Sequence, residues 1–213
     1  MTVRFHLATS VFALQIQELG KVIQQMKYLK SKIQGVYLLQ PDTLDDDRGK
    51  FFESFKAQQI TLETGIEFNI AQVNNSESRK GVIRGIHFKE APPGQRKFVS
   101  VSSGAIIDVA IDLRRSSPTF KAWQSFELNE SNRRSLLLGN GIGHAFLSLK
   151  DETKVTYLCD TVFEPEKEHG INPLSAGVDW ELLAQRSGIS EFLLSDKDRN
   201  ALNLDEAETL LFP

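Results

Sequence analysis

Residues 105–113 read Ala-Ile-Ile-Asp-Val-Ala-Ile-Asp-Leu, and this stretch decides the fold class. Its large apolar side chains alternate with smaller or acidic ones, with a period of two residues. Successive side chains of a β-strand point to opposite faces of the sheet, so the pattern predicts a strand with one packed face and one polar face. The packed face carries Ile107, Val109, Ile111 and Leu113, and the polar face carries Asp108, Ala110 and Asp112.

Similar short runs, separated by turn residues, extend from Gly35 to about Val162. They predict strands at residues 35–40, 68–73, 81–88, 97–101, 122–128, 135–138, 144–149 and 154–163, in addition to 105–113. Breaks such as Pro92-Pro93-Gly94 and Gly139-Asn140-Gly141 have turn chemistry. No alternation of strands with helices is visible, so the pattern favours a mainly β sandwich or barrel. Residues 180–186 and 204–211 are candidates for short helices near the C-terminus.

The first 33 residues have a different pattern. Apolar side chains recur there at spacings of three or four, which is typical of an amphipathic helix over residues 11–33. They are Phe12, Ile16, Leu19, Ile23, Met26, Leu29 and Ile33. We therefore expect a helical N-terminal extension, 1–33, before a single domain, 34–213. Met26 is an alternative start of the protein, and a helix that docks a partner or covers the core is the other reading.

Composition excludes several classes of protein. The chain has 213 residues, with 25 basic and 28 acidic side chains, so its charge of −3 gives no attraction to nucleic acid or anionic membranes. No apolar run is long enough for a transmembrane helix, and no segment predicts a signal peptide. Cys159 is the single cysteine, which excludes an intrachain disulfide and favours a reducing, cytoplasmic location.

The polar residues within the predicted strands are candidates for chemistry. There are four histidines, and none forms a His-x-His pair, because Lys89 stands two residues after His87. A cation at that place argues against a metal site. A lone histidine in a strand is often structural, but Lys97 begins the next strand and Asp108 interrupts an apolar one. We expect these ionisable groups to converge on one cavity.

Five motifs, in order along the chain, resemble the dTDP-4-dehydrorhamnose 3,5-epimerase family over residues 33–211. They are residues 47–55 (Asp-Arg-Gly-Lys-Phe-Phe-Glu-Ser-Phe), 82–88 (Val-Ile-Arg-Gly-Ile-His-Phe), 108–120 (from Asp-Val-Ala-Ile-Asp-Leu-Arg to Ser-Pro-Thr-Phe), 143–146 (Gly-His-Ala-Phe) and 194–198 (Leu-Ser-Asp-Lys-Asp). The resemblance implies a cupin-type β-sandwich, or jelly roll, that forms a homodimer by exchanging N-terminal strands and needs no cofactor or metal. The Gly-His-Ala-Phe form is more like the enzymes that make unusual deoxysugars for antibiotics or surface glycans.

The resemblance also assigns chemical roles. Family enzymes act on a nucleotide-linked 4-keto-6-deoxyhexose, whose carbonyl acidifies the hydrogens on C3 and C5. His87 matches the base, since an imidazole exchanges protons near neutral pH, and Asp198 matches the carboxylate that orients it. Tyr157 matches the acid on the opposite face, and Lys97 matches the cation that stabilises the enolate. The alternative for Tyr157 is a packed aromatic residue.

Binding and supporting roles follow by the same resemblance. Residues that match positions near the nucleotide and sugar are Arg48, Phe51, Glu53, Gln72, Asn74, Arg84 and His144, and Asp108 and Lys197 match supporting positions. Arg48 could instead belong to a solvated turn, and His144 could be a core histidine. Asp108 could orient either His144 or His87. Lys89 and the pair Val162-Phe163 depart from the family pattern, which predicts an altered pocket wall.

The resemblance therefore predicts an isomerase that epimerises C3, C5 or both carbons of a dTDP-linked 4-keto-6-deoxyhexose. Two alternatives stay open. One is a 3,4-ketoisomerase of related fold, which would move the carbonyl instead of inverting a carbon. The other is a non-catalytic protein that binds nucleotide sugars, with residues 1–33 mediating assembly.

Overall fold

The computed structural model describes residues Met26–Phe212, which form thirteen β-strands and three short α-helices. The strands are β1 (Lys27–Lys30), β2 (Val36–Gln40), β3 (Leu44–Asp46), β4 (Gly49–Phe51), β5 (Gln72–Ser78), β6 (Ile83–Lys89), β7 (Lys97–Ser103), β8 (Ala105–Asp112), β9 (Trp123–Asn129), β10 (Ser135–Leu138), β11 (Ile142–Ser148), β12 (Thr153–Cys159) and β13 (Glu168–Gly170). The helices are α1 (Ala57–Thr64), α2 (Trp180–Ala184) and α3 (Asp196–Arg199). Single 3-10 turns lie at Pro165–Lys167, Pro173–Ser175 and Glu206–Leu210.

Two antiparallel sheets form the body of the fold. The larger has the strand order β1-β2-β10-β7-β12-β5, the smaller has the order β13-β6-β11-β8-β9, and β3 pairs with β4 in a separate hairpin. Apolar side chains from both large sheets, such as Val99 and Val155 from one and Ala110 and Phe146 from the other, pack in one buried cluster. The prediction of a mainly β, antiparallel sandwich is confirmed.

Strand β8 is buried on both faces, which differs from the prediction of one solvated polar face. Val109 and Ile111 pack outward against the C-terminal segments, including Trp180 of α2. The alternate residues face the interior of the sandwich, where Ala110 joins the core. Asp108 on this inner face is fully buried. The alternation therefore marks a strand between two packed layers, and the acidic residue needs a partner inside the sandwich.

Helix α1 covers the outer face of the larger sheet. Its single buried residue, Ile60, packs with Phe68 and with Phe98 of β7. The helix ends at Gly65, whose positive φ of 73° suits glycine at a helix C-terminus. It was not predicted, because one buried residue in eight gives no apolar period.

The remaining differences concern the boundaries of elements. Residues 27–30, which fall in the predicted helical stripe, instead form strand β1, which pairs with β2 along its whole length. The rest of that predicted helix, residues 1–25, lies outside the described residues. The strand predicted at 68–73 lies at Gln72–Ser78, and the helix predicted at 204–211 is a 3-10 turn. Among the helices that the structure describes, none combines the length and apolarity needed to cross a lipid bilayer.

Candidate active site

A cavity of about 330 Å³ lies between the two large sheets. Both sheets contribute polar side chains to its wall, and so do the segments around β13 and α3. The predicted site residues that line it are Gln72, Asn74, Arg84, His87, Lys97, His144, Tyr157 and Lys197. The smaller sheet provides His87 on β6, and the larger sheet provides Lys97 on β7 and Tyr157 on β12. These side chains come together although they are up to 125 residues apart in the chain, from Gln72 to Lys197.

His87 and Asp198 form a close pair at one side of the cavity. The Nε2 atom of His87 lies 2.7 Å from Oδ1 of Asp198. Asp198 belongs to α3, whose N-cap residue Ser195 accepts a hydrogen bond from the Asp198 amide at 3.1 Å. Burial alone would raise the pKa of Asp198, but the hydrogen bond and charge of His87, with the Gly85 amide and Ser195, leave its pKa below the usual value. Asp198 therefore remains a carboxylate, and within residues 26–212 the Nδ1 atom of His87 makes no hydrogen bond.

Gly85 lets β6 approach β11 closely just before His87. Its φ is +115°, and a Cβ atom built there would lie 2.4 Å from the carbonyl oxygen of His144. No other residue fits this gap without separating the two strands. The pairing of β6 with β11 shifts register beside it, and His87 lies opposite His144. The Arg-Gly-Ile-His motif thus has a steric reason for its glycine.

His144 pairs with Asp108, which settles the partner of that buried carboxylate. The His144 Nε2 atom lies 2.9 Å from the carboxylate, and both side chains are buried. Asp108 therefore orients His144 and does not contact His87. The His144 ring meets Tyr157 edge to face, with centroids 6.0 Å apart. His144 thus helps to hold Tyr157 at the cavity wall.

Tyr157 lies on the larger sheet, across the sandwich from the strand that carries His87. Its hydroxyl is 3.0 Å from Oγ of Ser76 on the neighbouring strand β5. Burial raises the pKa of Tyr157 well above its usual value, against a smaller opposing effect of the Ser76 hydrogen bond. The phenol therefore stays protonated at neutral pH and can donate a proton only to a strongly basic acceptor.

Lys97 presents an ammonium group to the cavity. Within the part of the chain that the structure describes, this group has no hydrogen-bond or ion-pair partner. Burial lowers the pKa of Lys97, while the nearby Cys159, Glu168 and Asp108 raise it by a smaller amount. An unpaired donor at a cavity wall is available to a ligand oxygen that carries negative charge.

Three predicted binding residues do not reach this cavity in the single chain. Arg48 is 89% exposed in its side chain and pairs with Asp46 in the β3–β4 hairpin. Phe51 is also exposed, and Glu53 lies 3.8 Å from Lys56. By contrast, Arg84 lines the cavity and donates to Ser78 and to the Glu77 carbonyl, and Gln72 donates to Asn74.

Further residues on the wall were not predicted as catalytic or binding residues, although Phe163 was expected to alter the pocket wall. They are Asn75, Ser76, Gln95, Phe146, Cys159, Phe163, Glu168 and His169. Ser76 shares the period-two face of β5 with Gln72 and Asn74, so a correct boundary for β5 would have found it. Cys159 was expected to fill a strand, and it is buried in the wall. Glu168 and His169 belong to β13, which is too short to show a period. No group of three potential metal ligands was found among residues 26–212.

Known proteins resemble this chain over most of its length. A sequence model described as dTDP-4-dehydrorhamnose 3,5-epimerase matches residues 30–206. The dTDP-4-dehydrorhamnose 3,5-epimerase of Mycolicibacterium smegmatis is 40% identical over 176 residues, which cover 83% of this chain and 85% of that protein. Among solved structures, NovW, a 4-keto-6-deoxy sugar epimerase from the novobiocin gene cluster of Streptomyces spheroides, is 37% identical with a TM-score of 0.82, covering 89% of this chain and 94% of that one.

Two further structures contain sugar nucleotides. The Legionella pneumophila epimerase in complex with dTDP-4-keto-L-rhamnose is 34% identical, with a TM-score of 0.80 and coverage of 89% and 99%. ChmJ, a 3'-monoepimerase from Streptomyces bikiniensis in complex with dTDP-quinovose, is 38% identical, with a TM-score of 0.79 and coverage of 85% and 90%. The extent of these matches, in sequence and in the cupin-type sandwich, shows that the chain belongs to the dTDP-4-dehydrorhamnose 3,5-epimerase family of isomerases.

Proposed function

We propose that this enzyme inverts C3, C5 or both carbons of a dTDP-linked 4-keto-6-deoxyhexose in deoxysugar biosynthesis. The observation that carries the proposal is the placement of His87 and Tyr157 on opposite sheets of one cavity. Inversion needs proton removal on one face of a carbon and proton delivery on the other, because a lone base would return the proton to the face it came from. The sugar nucleotides bound to the related epimerases support this substrate class.

His87 removes the proton in this mechanism. Its Nε2–H donates to the Asp198 carboxylate at 2.7 Å, so the lone pair of Nδ1 takes the hydrogen of C3 or C5. The carbon–hydrogen electron pair then moves into the ring, and the C4 carbonyl becomes an enolate. Asp198 stabilises the imidazolium that forms, as the carboxylate of a Ser-His-Asp hydrolase triad does.

Lys97 and Tyr157 complete the reaction. The unpaired Lys97 ammonium stabilises the negative charge on the C4 oxygen as it develops, which is when electrostatic preorganisation lowers the barrier most. Tyr157 donates its phenolic proton to the carbon from the opposite face, and the carbonyl re-forms. The phenolate then regains a proton from solvent through the hydroxyl of Ser76, 3.0 Å away, and the His87 imidazolium releases the proton it took to solvent. No metal or cofactor takes part in these steps.

Arg84, Gln72, Asn74 and Lys197 bind the nucleotide and its phosphates in this proposal, with His144 as a support of Tyr157. Arginine suits the phosphates because its planar guanidinium makes paired hydrogen bonds. Arg48, Phe51 and Glu53 lie outside the cavity of their own chain, so we assign them to the cavity of the partner in a homodimer that exchanges N-terminal strands. The single cysteine favours a cytoplasmic enzyme.

Proton NMR in D2O with a dTDP-4-keto-6-deoxyhexose tests the function. We expect deuterium to replace hydrogen at C3 or C5, and the product to have inverted configuration at the exchanged carbon. Movement of the carbonyl to C3 would instead identify a 3,4-ketoisomerase. Binding without any exchange would identify a protein that only binds sugar nucleotides. Either of these results would overturn the proposal.

A further inference from the structure

Lys89 is a buried charge that the proposed mechanism does not use. It is the last residue of β6, and the period of the strand places it on the same face as His87. Its side chain is 0% exposed. Burial of an ammonium costs free energy unless the group is paired and hydrogen-bonded, so its partners identify what it holds in place.

Both partners of Lys89 belong to one segment, residues 160–167, which we name the strap. The strap joins β12 to β13, and its residue Phe163 lines the cavity. Lys89 Nζ lies 2.7 Å from Oε2 of Glu164 and donates to the Val162 carbonyl at 2.5 Å. These bonds connect the middle of the strap to β6, the strand that carries His87.

The peptide between Val162 and Phe163 is fixed at both of its edges. Lys89 binds its carbonyl oxygen, and Oε1 of Gln72 accepts its N–H, that of Phe163, at 2.7 Å. Gln72 is on the larger sheet and Lys89 is on the smaller one, so the peptide bridges the two sheets. A peptide plane held on both edges has no freedom to rotate, and its orientation sets the direction of the Phe163 side chain.

Phe163 is part of the cavity wall, although it is 57% exposed. An exposed aromatic ring at a cavity is suited to contact a ligand that covers it. The backbone that carries the ring is bonded by Lys89 and Gln72, so the position of the ring depends on that peptide. The wall at Phe163 therefore depends on the Lys89 bonds.

We infer that Lys89 is a positioning residue: it fixes the Val162–Phe163 peptide and, through it, the Phe163 ring against which the sugar nucleotide is set before His87. The inference rests on the proposed function for the sugar, but the bonds between Lys89 and the strap are a property of the free protein. Lys89 touches no reacting atom. It acts through Phe163, and this dependence is what an experiment can measure.

Lys167 provides a matched control, because it also pairs with Glu164. Its Nζ lies 2.9 Å from Oε1 of Glu164, but its side chain is 42% exposed and it makes no contact with the Val162 carbonyl. Lys89→Met and Lys167→Met remove the same charge from the same carboxylate. Only Lys89→Met releases the peptide.

The first measurement is hydrogen exchange of the strap in the free protein. Lys89→Met is expected to raise the exchange rate of the Phe163 amide by at least about tenfold, as for a locally opened segment, and Lys167→Met is expected to leave it unchanged. An equal rise in both variants, or none in either, would overturn the inference. If Lys89→Met does not fold, Lys89→Gln, which keeps a shorter polar side chain at this position, tests the same bond to the Val162 carbonyl and must raise the exchange rate.

The second measurement is kcat/KM for solvent exchange at the carbon that the enzyme prefers. We expect Lys89→Met to lower it about 3- to 30-fold in the natural chain, but less than about twofold when Phe163→Ala is already present, the result for residues that act through one another. Equal losses in both backgrounds would mean that Lys89 acts elsewhere. If the unaltered protein shows no solvent exchange at the sugar, the proposed function fails. The amide measurement still tests whether Lys89 fixes the Val162–Phe163 peptide.

Discussion

Two residues fix the position of His87 on the cavity wall, one near it in the sequence and one distant from it. Asp198 fixes the orientation of the ring, and Gly85 permits the close strand approach that places it. The family motifs predicted the pairing of Asp198 with His87 but assigned no role to Gly85. They did not predict the partner of Asp108, because a period of two fixes the face of a residue but not which neighbour on that face it meets. The structure shows that this partner is His144.

Tyr157→Phe separates proton removal from proton delivery. The variant keeps His87, Asp198 and Lys97, so deuterium should still enter beside the carbonyl in D2O, with retained configuration. Inversion should fall by about two to four orders of magnitude, the usual contribution of one acid or base group. Tyr37→Phe is a matched control, since the Tyr37 hydroxyl donates to the Thr64 carbonyl away from the cavity. Normal inversion by Tyr157→Phe would remove Tyr157 from the mechanism.

Asp198 also makes stability depend on pH. Its pKa in the folded protein lies below the unfolded value of about 3.9, so its stabilising effect is complete above that pH and is lost as pH falls through the folded pKa. Denaturant unfolding should therefore show Asp198→Asn to be less stable than the natural chain at pH 7. The difference should shrink below about pH 4. Asp196→Asn, at an exposed position in the same helix, should show no such change; a gap that stays constant with pH would refute this role.

At the scale of elements, period-two patterns predicted most of the sandwich strands close to their observed positions. They were weaker where a strand is mostly polar, as in β5, Gln72–Ser78, whose polar run Asn74-Asn75-Ser76 hides its alternation. The patterns also missed α1, which buries only Ile60, and β13, which has three residues and is too short to show a period. The strand predicted at 154–163 ends at Cys159, so the first half of the strap was predicted as strand. Lys89 and Gln72, which bond the strap, are distant from it in sequence.

Ser195 links the stability of α3 to the position of Asp198. Its hydroxyl oxygen accepts the hydrogen bond of the Asp198 amide, so Ser195→Ala should lower the free energy of unfolding by about 1 kcal/mol, as for other N-cap losses. We also expect kcat to fall, because the four-residue helix has few other bonds that hold Asp198 against His87. Ser195→Thr, which keeps a capping hydroxyl, should restore both values. Equal defects in the two variants would contradict a capping role.

The two sheets of the sandwich place His87, the proposed base, and Tyr157, the proposed acid, on opposite walls of one cavity. Only the resemblance to the family predicted this arrangement, because no local sequence pattern shows which strands face each other. The β3–β4 hairpin belongs to neither large sheet. Its exposed residues Arg48 and Phe51 were predicted to bind substrate, but they do not reach the cavity of their own chain.

A chain that begins at Met26 tests whether residues 1–25 are needed for assembly. The described residues already contain β1 paired with β2, both sheets and the cavity wall. We therefore expect the shortened chain to dimerise and to turn over substrate at a rate similar to that of the full chain. Light scattering after gel filtration measures the mass, and the D2O assay measures turnover. A monomeric, inactive product would show that the first 25 residues are integral to the dimer.

His87→Asn removes the proposed base and is the sharpest test of the mechanism. Deuterium incorporation at C3 and C5 is followed by NMR with saturating substrate, and calorimetry with dTDP checks that the site still binds. We expect the variant to bind dTDP as the natural chain does, while both exchange and inversion fall by about two to four orders of magnitude. A variant that keeps more than about a tenth of the natural exchange rate would show that another group removes the proton.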